Sequence, residues 1–214
     1  IKKDLSVVEH LLLQEREQYE RTKENIELIN LKCHDMKYQI RRGLENADGE
    51  YIKEITELIS IYDSSVKTGN EDLDVILTEK SLKCRHEQIT FTCMADGGRL
   101  GFMDKTDIYG LFGNLVDNAV EAVLKLTDES KKIIELSVHG ENNMLAINVH
   151  NYYDGDIVFG KDGLPRTTKR DAAFHGFGMK SIRMIVDKYD GDIAVSAKDG
   201  VFNVKILLIA PSGS

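Results

Sequence analysis

The sequence predicts an α+β protein in two parts, an N-terminal helical hairpin over residues 1–68 and a C-terminal α/β sandwich over residues 69–214. Three observations carry this. Of 17 glycines only Gly43, Gly49 and Gly69 precede residue 97, and the two prolines are Pro165 and Pro211, so the first part lacks helix breakers. Ile26, Ile29, Cys33, Met36, Ile40 and Leu44 step by three or four, the spacing of an amphipathic or coiled-coil seam. Leu145, Ile147 and Val149 alternate, as a strand with one buried face requires.

The chain has 214 residues and a formal net charge of -8. That length supports one large domain or two small ones with a buried core. The acid excess argues against general nucleic-acid binding, which needs a basic footprint. The longest uninterrupted apolar run is Ile206 to Ala210, too short to span a membrane. The first residue is Ile rather than Met, so a longer parent protein is expected. Cys33, Cys84 and Cys93 are odd in number and include no CxxC pair, which points to reduced thiols in a cytoplasmic setting.

Residues 1–44 read as one long helix, Asn46-Ala47-Asp48-Gly49 as a turn, and residues 50–66 as a second helix carrying Ile52, Ile55, Leu58, Ile59 and Tyr62. A two-helix hairpin has a narrow apolar stripe and little core. Two such hairpins bury it as a four-helix bundle, so a homodimer is expected. Lys67-Thr68-Gly69-Asn70 marks the boundary. A helix at about 71–87 and a strand at about 88–95 follow, then a turn at Gly97-Gly98. The next helix spans about 105–126, with Asp104 as the expected N-cap. Strands at 132–139 and 144–151 flank Gly140-Glu141-Asn142-Asn143. Residues 152–175 show no period and are too long for an idle connection, which reads as a functional loop. A helix at 177–189 and a hairpin of 192–197 with 201–209 close the chain, giving helices on one face of a mixed sheet.

Three places carry chemistry. On the 105–126 helix, Ile108, Leu111, Phe112, Leu115, Ala119, Ala122, Val123 and Leu126 share a face, and Asn114, Asn118 and Glu121 form a stripe beside it. Asparagine competes with the helical backbone, so two stacked on one edge are unfavourable for helicity alone. An amide oxygen suits a hard Mg²⁺ ion already bound to phosphates, although a solvated polar stripe would show the same spacing. Gly176-Phe177-Gly178 opens a helix, where free N–H groups and the helix dipole favour phosphate; a plain loop-to-helix turn looks the same in sequence. It is neither a Walker A loop nor a dinucleotide fingerprint. In the long helix His34 adjoins Asp35, a pairing in which the acid tunes a nucleophilic imidazole, or which is a charged surface patch.

Taken in order, these features resemble the cytoplasmic part of a bacterial sensor histidine kinase with a GHKL-type (Bergerat) ATP-binding domain. Within that family the chain looks most like the AgrC-like group, peptide-sensing, quorum-sensing kinases of Gram-positive bacteria. The matching stretches are Cys33-His34-Asp35-Met36-Lys37, Thr68-Gly69-Asn70 with Leu73-Asp74, Asn114 to Ala122, Thr167-Thr168-Lys169 and His175-Gly176-Phe177-Gly178-Met179. The resemblance covers residues from about 26 to 209.

The resemblance implies that His34 accepts the γ-phosphoryl group of ATP, that Asp35 orients its ring, and that Asn118 binds Mg²⁺ bridging the phosphates. Asn114 stands where hydrolytic relatives carry a glutamate that activates water, and an amide cannot accept a proton at neutral pH. Gly176 and Gly178 would let a lid close, and Lys169 or Arg170 would neutralise phosphate charge. The wider family has Asp-x-Gly-x-Gly after the strand; here Asn151 stands in place of the Asp, with Tyr153 where the first Gly would be. Asn151 still offers an acceptor to the adenine amino group, but a weaker one, so weak nucleotide affinity is expected. Gln39 completes an Asp-x-x-x-Gln pattern with Asp35 that is linked, in another histidine-kinase group, to dephosphorylation of the partner regulator. Implied partners are a second copy, a response regulator and an upstream membrane sensor, and the implied location is the cytoplasmic portion of a membrane receptor. Two other readings stay open: a GHKL ATPase of the chaperone or mismatch-repair kind, and a non-enzymatic dimeric phosphotransfer scaffold with a decayed ATP domain.

Overall fold

The computed structural model of the chain describes positions 13, 14, 16–18, 20–26 and 28, then residues 66–160, 162–165 and 178–211. It divides into two compact units, Ile1–Val66 and Lys67–Ser214. In the first unit the described positions up to 28 are all helical. His34, Asp35, Gln39, the 46–49 turn and the second hairpin helix lie outside the described residues.

The second unit starts on a fastened strap. The Thr68 N–H and Oγ1 both donate to Asp74 Oδ1, each at 2.7 Å, and Gly97 N–H donates to Thr68 O at 2.9 Å. Gly69, at φ +90°, makes the bend that only glycine adopts without strain. Asn70 then caps α1 (Glu71–His86) by accepting from the Leu73 N–H at 3.0 Å. Acids fill the first turn of α1 and bases the last, complementing its dipole.

β1 (Thr90–Ala95) leads through a 3₁₀ turn (Gly97–Leu100) to α2 (Lys105–Val123). Asp104 occupies the N-cap position by backbone geometry, but its side chain makes no capping bond, contrary to the sequence expectation. Its carboxylate accepts instead from Lys188 Nζ at 2.7 Å, a charged donor that competes better than a backbone amide. β2 (Ile133–Glu141) and β3 (Met144–Tyr152) form a tight hairpin, with Asn142 in the left-handed region at φ +54°. The ladder therefore runs through Gly140 and Glu141, two residues further than the expected turn allowed. α3 (Gly178–Lys188), β4 (Asp192–Lys198) and β5 (Val201–Ile209) complete the unit. Asp199 and Gly200, both at positive φ, make the β4–β5 turn.

The five strands lie in the order β1-β2-β3-β5-β4, with β1 and β2 parallel and every other pair antiparallel. The parallel pair needs a crossover, which α2 supplies. Leu145, Ile147, Val149 and Asn151 of β3 are buried at alternate positions, and α1 and α3 each pack against α2, all three helices also meeting the sheet. The core is built around α2, where Ile108, Leu111, Phe112, Leu115, Val116, Ala119, Val120 and Val123 are buried. The expected face had Ala122 in place of Val116 and Val120; Ala122 is half-buried. A helix packed between two others and a sheet buries more than one stripe.

Cys84 is buried and Cys93 half-buried, both as free thiols, and burial pushes each thiol up to about 11. At pH 7 in the native chain both should alkylate with iodoacetamide roughly two orders of magnitude more slowly than an ordinary thiol, since only the thiolate reacts. Peptide mapping after native and urea-unfolded labelling checks this. Equal labelling rates in the two states would contradict it.

Candidate functional site

α2 positions the two asparagines one turn apart. The Asn114 Nδ2 donates to Gly110 O at 2.7 Å, one turn back along the helix. Asn118 differs from a solvated stripe: its Nδ2 is buried and has no hydrogen-bond partner among the described residues. A buried unpaired amide costs about 1–3 kcal/mol, so a site that keeps one is organised around something that will pair with it. Glu121, the third member of the expected stripe, is exposed.

α3 brings Gly178 onto this pair. A Cβ built at Gly178 would sit 3.1 Å from Asn118 Oδ1, 3.4 Å from Asn118 Nδ2 and 3.5 Å from Asn114 Oδ1. A methyl group there would fit tightly, and the asparagine side chains would have to give by a few tenths of an ångström. Asn114 and Asn118 thus share one point in space with Gly178, which lies 60 or more residues further along the sequence. Lys169, Arg170 and Gly176 lie outside the described residues. Asn151 is 2% exposed, on the helix-covered face of β3, opposite Ile134 of β2 and Phe202 of β5. Its Nδ2 donates to Tyr152 O at 2.8 Å, which fixes the plane of the amide.

A charged lock lies beneath the asparagines. Asp117 accepts from Lys80 Nζ and from Lys83 Nζ of α1, each at 2.8 Å. The Lys80 side chain is only 4% exposed and also pairs with Glu79 at 3.2 Å, while Tyr109 OH donates to Glu79 Oε2 at 2.8 Å. Burial acts to raise the Asp117 pKa, but the two lysines outweigh it and hold the carboxyl below the usual range. The sequence reading missed this lock. The signal was present: Leu73, Leu77, Lys80 and Cys84 fall on one helical stripe, so a lysine occupies a core position and demands a partner.

A second charged group joins α2 to α3. Lys188 Nζ bonds Asp104 Oδ2 and Asp107 Oδ2, at 2.7 and 2.5 Å. Tyr189 OH donates to Asp107 Oδ2 at 2.6 Å and accepts from the Asp104 N–H at 2.8 Å. The hydrogen bonds that Lys188 donates to both aspartates raise its pKa, and the Lys188 ammonium lowers that of Asp104.

Residues 103–209 match the protein family described as the GHKL domain, which is half of the chain. The chain belongs to the GHKL domain family. The matched stretch contains α2, α3 and strands β2 to β5, hence Asn114, Asn118, Asn151 and Gly178. Over 121 residues the GHKL chain is 31% identical to the sensor histidine kinase DpiB of Escherichia coli (strain K12), an alignment covering 52% of this chain. The alignment covers 21% of the length of that relative. In fold, the chain is similar to the catalytic domain of histidine kinase ThkA, with a TM-score of 0.51, 20% identity, and coverage of 66% of this chain and 94% of that one. The mixed sheet with helices on one face is therefore the GHKL-type fold of histidine kinase catalytic domains. Among the described residues no helix is long and apolar enough to cross a membrane.

Proposed function

We propose that this chain is the kinase portion of a sensor histidine kinase of the AgrC-like group, which phosphorylates itself on His34 from ATP and passes the phosphoryl group to an aspartate of a response regulator. The observation that carries the reading is the buried amide of Asn118, unpartnered among the described residues, against Gly178 in a GHKL domain. That amide and the cradle a Cβ would fill suit a nucleotide with its Mg²⁺ ion. Asn118 would hold the ion through its side-chain oxygen, and a divalent cation there would neutralise phosphate charge. Asn114 is neutral and already engaged with Gly110 O, so it does not activate water as a carboxylate would. This favours transfer to an imidazole over hydrolysis. Asn151 spends its Nδ2 on Tyr152 O and so turns its oxygen to the adenine amino group. Lys169 or Arg170 would neutralise phosphate charge, and Gly176 and Gly178 would let the lid close over the phosphates.

In the chemical step a His34 ring nitrogen attacks the γ-phosphorus, the bond to the ADP oxygen breaks, and the ring loses a proton as the phosphoimidazole forms. Asp35 orients the ring and raises its basicity. Gln39 supports the reverse duty, orienting water for regulator dephosphorylation. The 1–68 hairpin provides the homodimer, and the exposed Leu13 and Leu28 on its helix support an apolar partner surface. A membrane sensor upstream supplies the signal.

The test is incubation of the chain with Mg²⁺ and γ-labelled ATP. Acid-labile, base-stable label is expected on the wild type and none on His34→Gln, which should still bind nucleotide. Label persisting in His34→Gln refutes the assignment. Nucleotide binding without any label on the wild type favours the ATPase reading, and no binding at all favours the decayed scaffold.

A further inference from the structure

The contact of Gly178 with Asn118 depends on how far α3 slides along α2. The buried side chains of α3, Ile182, Ile185 and Val186, are apolar, and apolar packing has little directionality along a helix axis. Directional contacts lie at the opposite end, where Lys188 and Tyr189 meet Asp104 and Asp107. The spacing is matched on both helices. Eleven residues separate Asp107 from Asn118, and eleven separate Gly178 from Tyr189. Eleven residues make about three helical turns and about 16 Å, so on each element both contacts fall on nearly the same face. The helices run antiparallel, so the two pairs, Asp107 with Tyr189 and Asn118 with Gly178, close opposite ends of one interface.

We propose that the Lys188–Tyr189 pair, held by Asp104 and Asp107, is a positioning clamp that sets the axial register of α3 and thereby seats Gly178 against Asn118. The fit at the far end is tight, as the 3.1 Å approach of a Gly178 Cβ to Asn118 Oδ1 shows. The clamp suits that duty. Asp107 is nearly buried, one of its oxygens receives both the ammonium and the phenol, and the Tyr189 ring is held edge-on against Phe102 at 5.9 Å. Among the described residues Lys188 and Tyr189 bond to none assigned to the nucleotide, so the clamp acts through α3.

The inference rests on the nucleotide reading of the site, and the experiment separates the two. In the full chain, Tyr189→Phe keeps the ring and removes the hydroxyl, Lys188→Met removes the cation, and Lys188→Arg retains it. Two readouts are taken on folded protein: the NMR signals of the Gly178 amide and the Asn118 side-chain amide without nucleotide, and Mg·ADP affinity by calorimetry. Tyr189→Phe and Lys188→Met should move both signals and weaken Mg·ADP on the order of tenfold, the scale of a small misplacement of binding groups. Lys188→Arg should restore both. A clamp that merely stabilises would lower the melting temperature and leave both readouts unchanged, which overturns the proposal. If the wild type binds no Mg·ADP, the nucleotide reading fails, and the clamp stands or falls on the two NMR signals.

Discussion

Replacing Asp117 by Ala should lower the stability of the GHKL unit by roughly 3 kcal/mol at pH 7, near the low end of what breaking a buried ion pair costs. The reason is what the change leaves behind. Lys80, with 4% of its side chain exposed, would keep only the 3.2 Å contact to Glu79 and would have to bury much of its charge. Asp117 is 40% exposed, which keeps the figure below that of a fully buried pair. The converse change should cost less. Lys80→Met replaces a buried cation by an apolar chain of similar length, and Asp117 keeps Lys83 at 2.8 Å. Urea unfolding of the two variants gives the order directly. Equal losses, or an Asp117→Ala loss within experimental error of zero, would show that the lock is not a buried pair in energetic terms.

The same pair makes stability depend on pH with a definite sign. The folded Asp117 carboxyl titrates below its unfolded value of about 3.9, so the folded state binds fewer protons through that region. The contribution is fully present above the unfolded pKa. It is lost as pH falls through the lower, folded value. Wild-type stability should therefore drop more steeply than that of Asp117→Ala as pH falls below about 4. Parallel slopes would remove Asp117 from the acid response.

Replacing Asn118 by Ala should separate stability from binding. The Asn118 Nδ2 is buried without a partner among the described residues, so its removal relieves a desolvation cost while leaving a small gap. The net change in stability should stay within about 1 kcal/mol, and the nucleotide-free variant should not be much less stable than the wild type. Nucleotide affinity in the presence of Mg²⁺ should fall at least about a hundredfold, the scale on which loss of one charge-stabilising group is felt. The pattern is that of a site residue retained against its own folding cost. Thermal unfolding with and without Mg·ADP reads both quantities. A variant that unfolds several degrees earlier yet keeps wild-type affinity would reassign Asn118 to the core.

Much of the second unit was legible because its elements follow simple periods. Leu145, Ile147 and Val149 read as one buried strand face, and all three are buried. The Asn142 and Asp199-Gly200 turns occupy the left-handed region that Asn, Asp and Gly tolerate. Asp104 holds the expected N-cap position, but its side chain does not cap, because capping propensity is local and the carboxylate found a cation 84 residues away. Lys80, Asp117, Lys188 and Tyr189 were missed for a related reason. A charge in a helix looks solvated until the partner that allows its burial is known.

The sequence by itself determined the order of helices and strands in the GHKL unit and the residue types at Asn114, Asn118 and Gly178. Those follow from backbone preference and from periodicity, which are properties of neighbouring residues. Only the tertiary structure decided that Gly178 sits against Asn118, that the Asn118 amide is buried without a partner among the described residues, and that Asp117 and Asp107 are tied to lysines on other helices. Those depend on desolvation and on approach to within a few tenths of an ångström. Such quantities arise when distant segments exclude water from one another, and no local pattern encodes them.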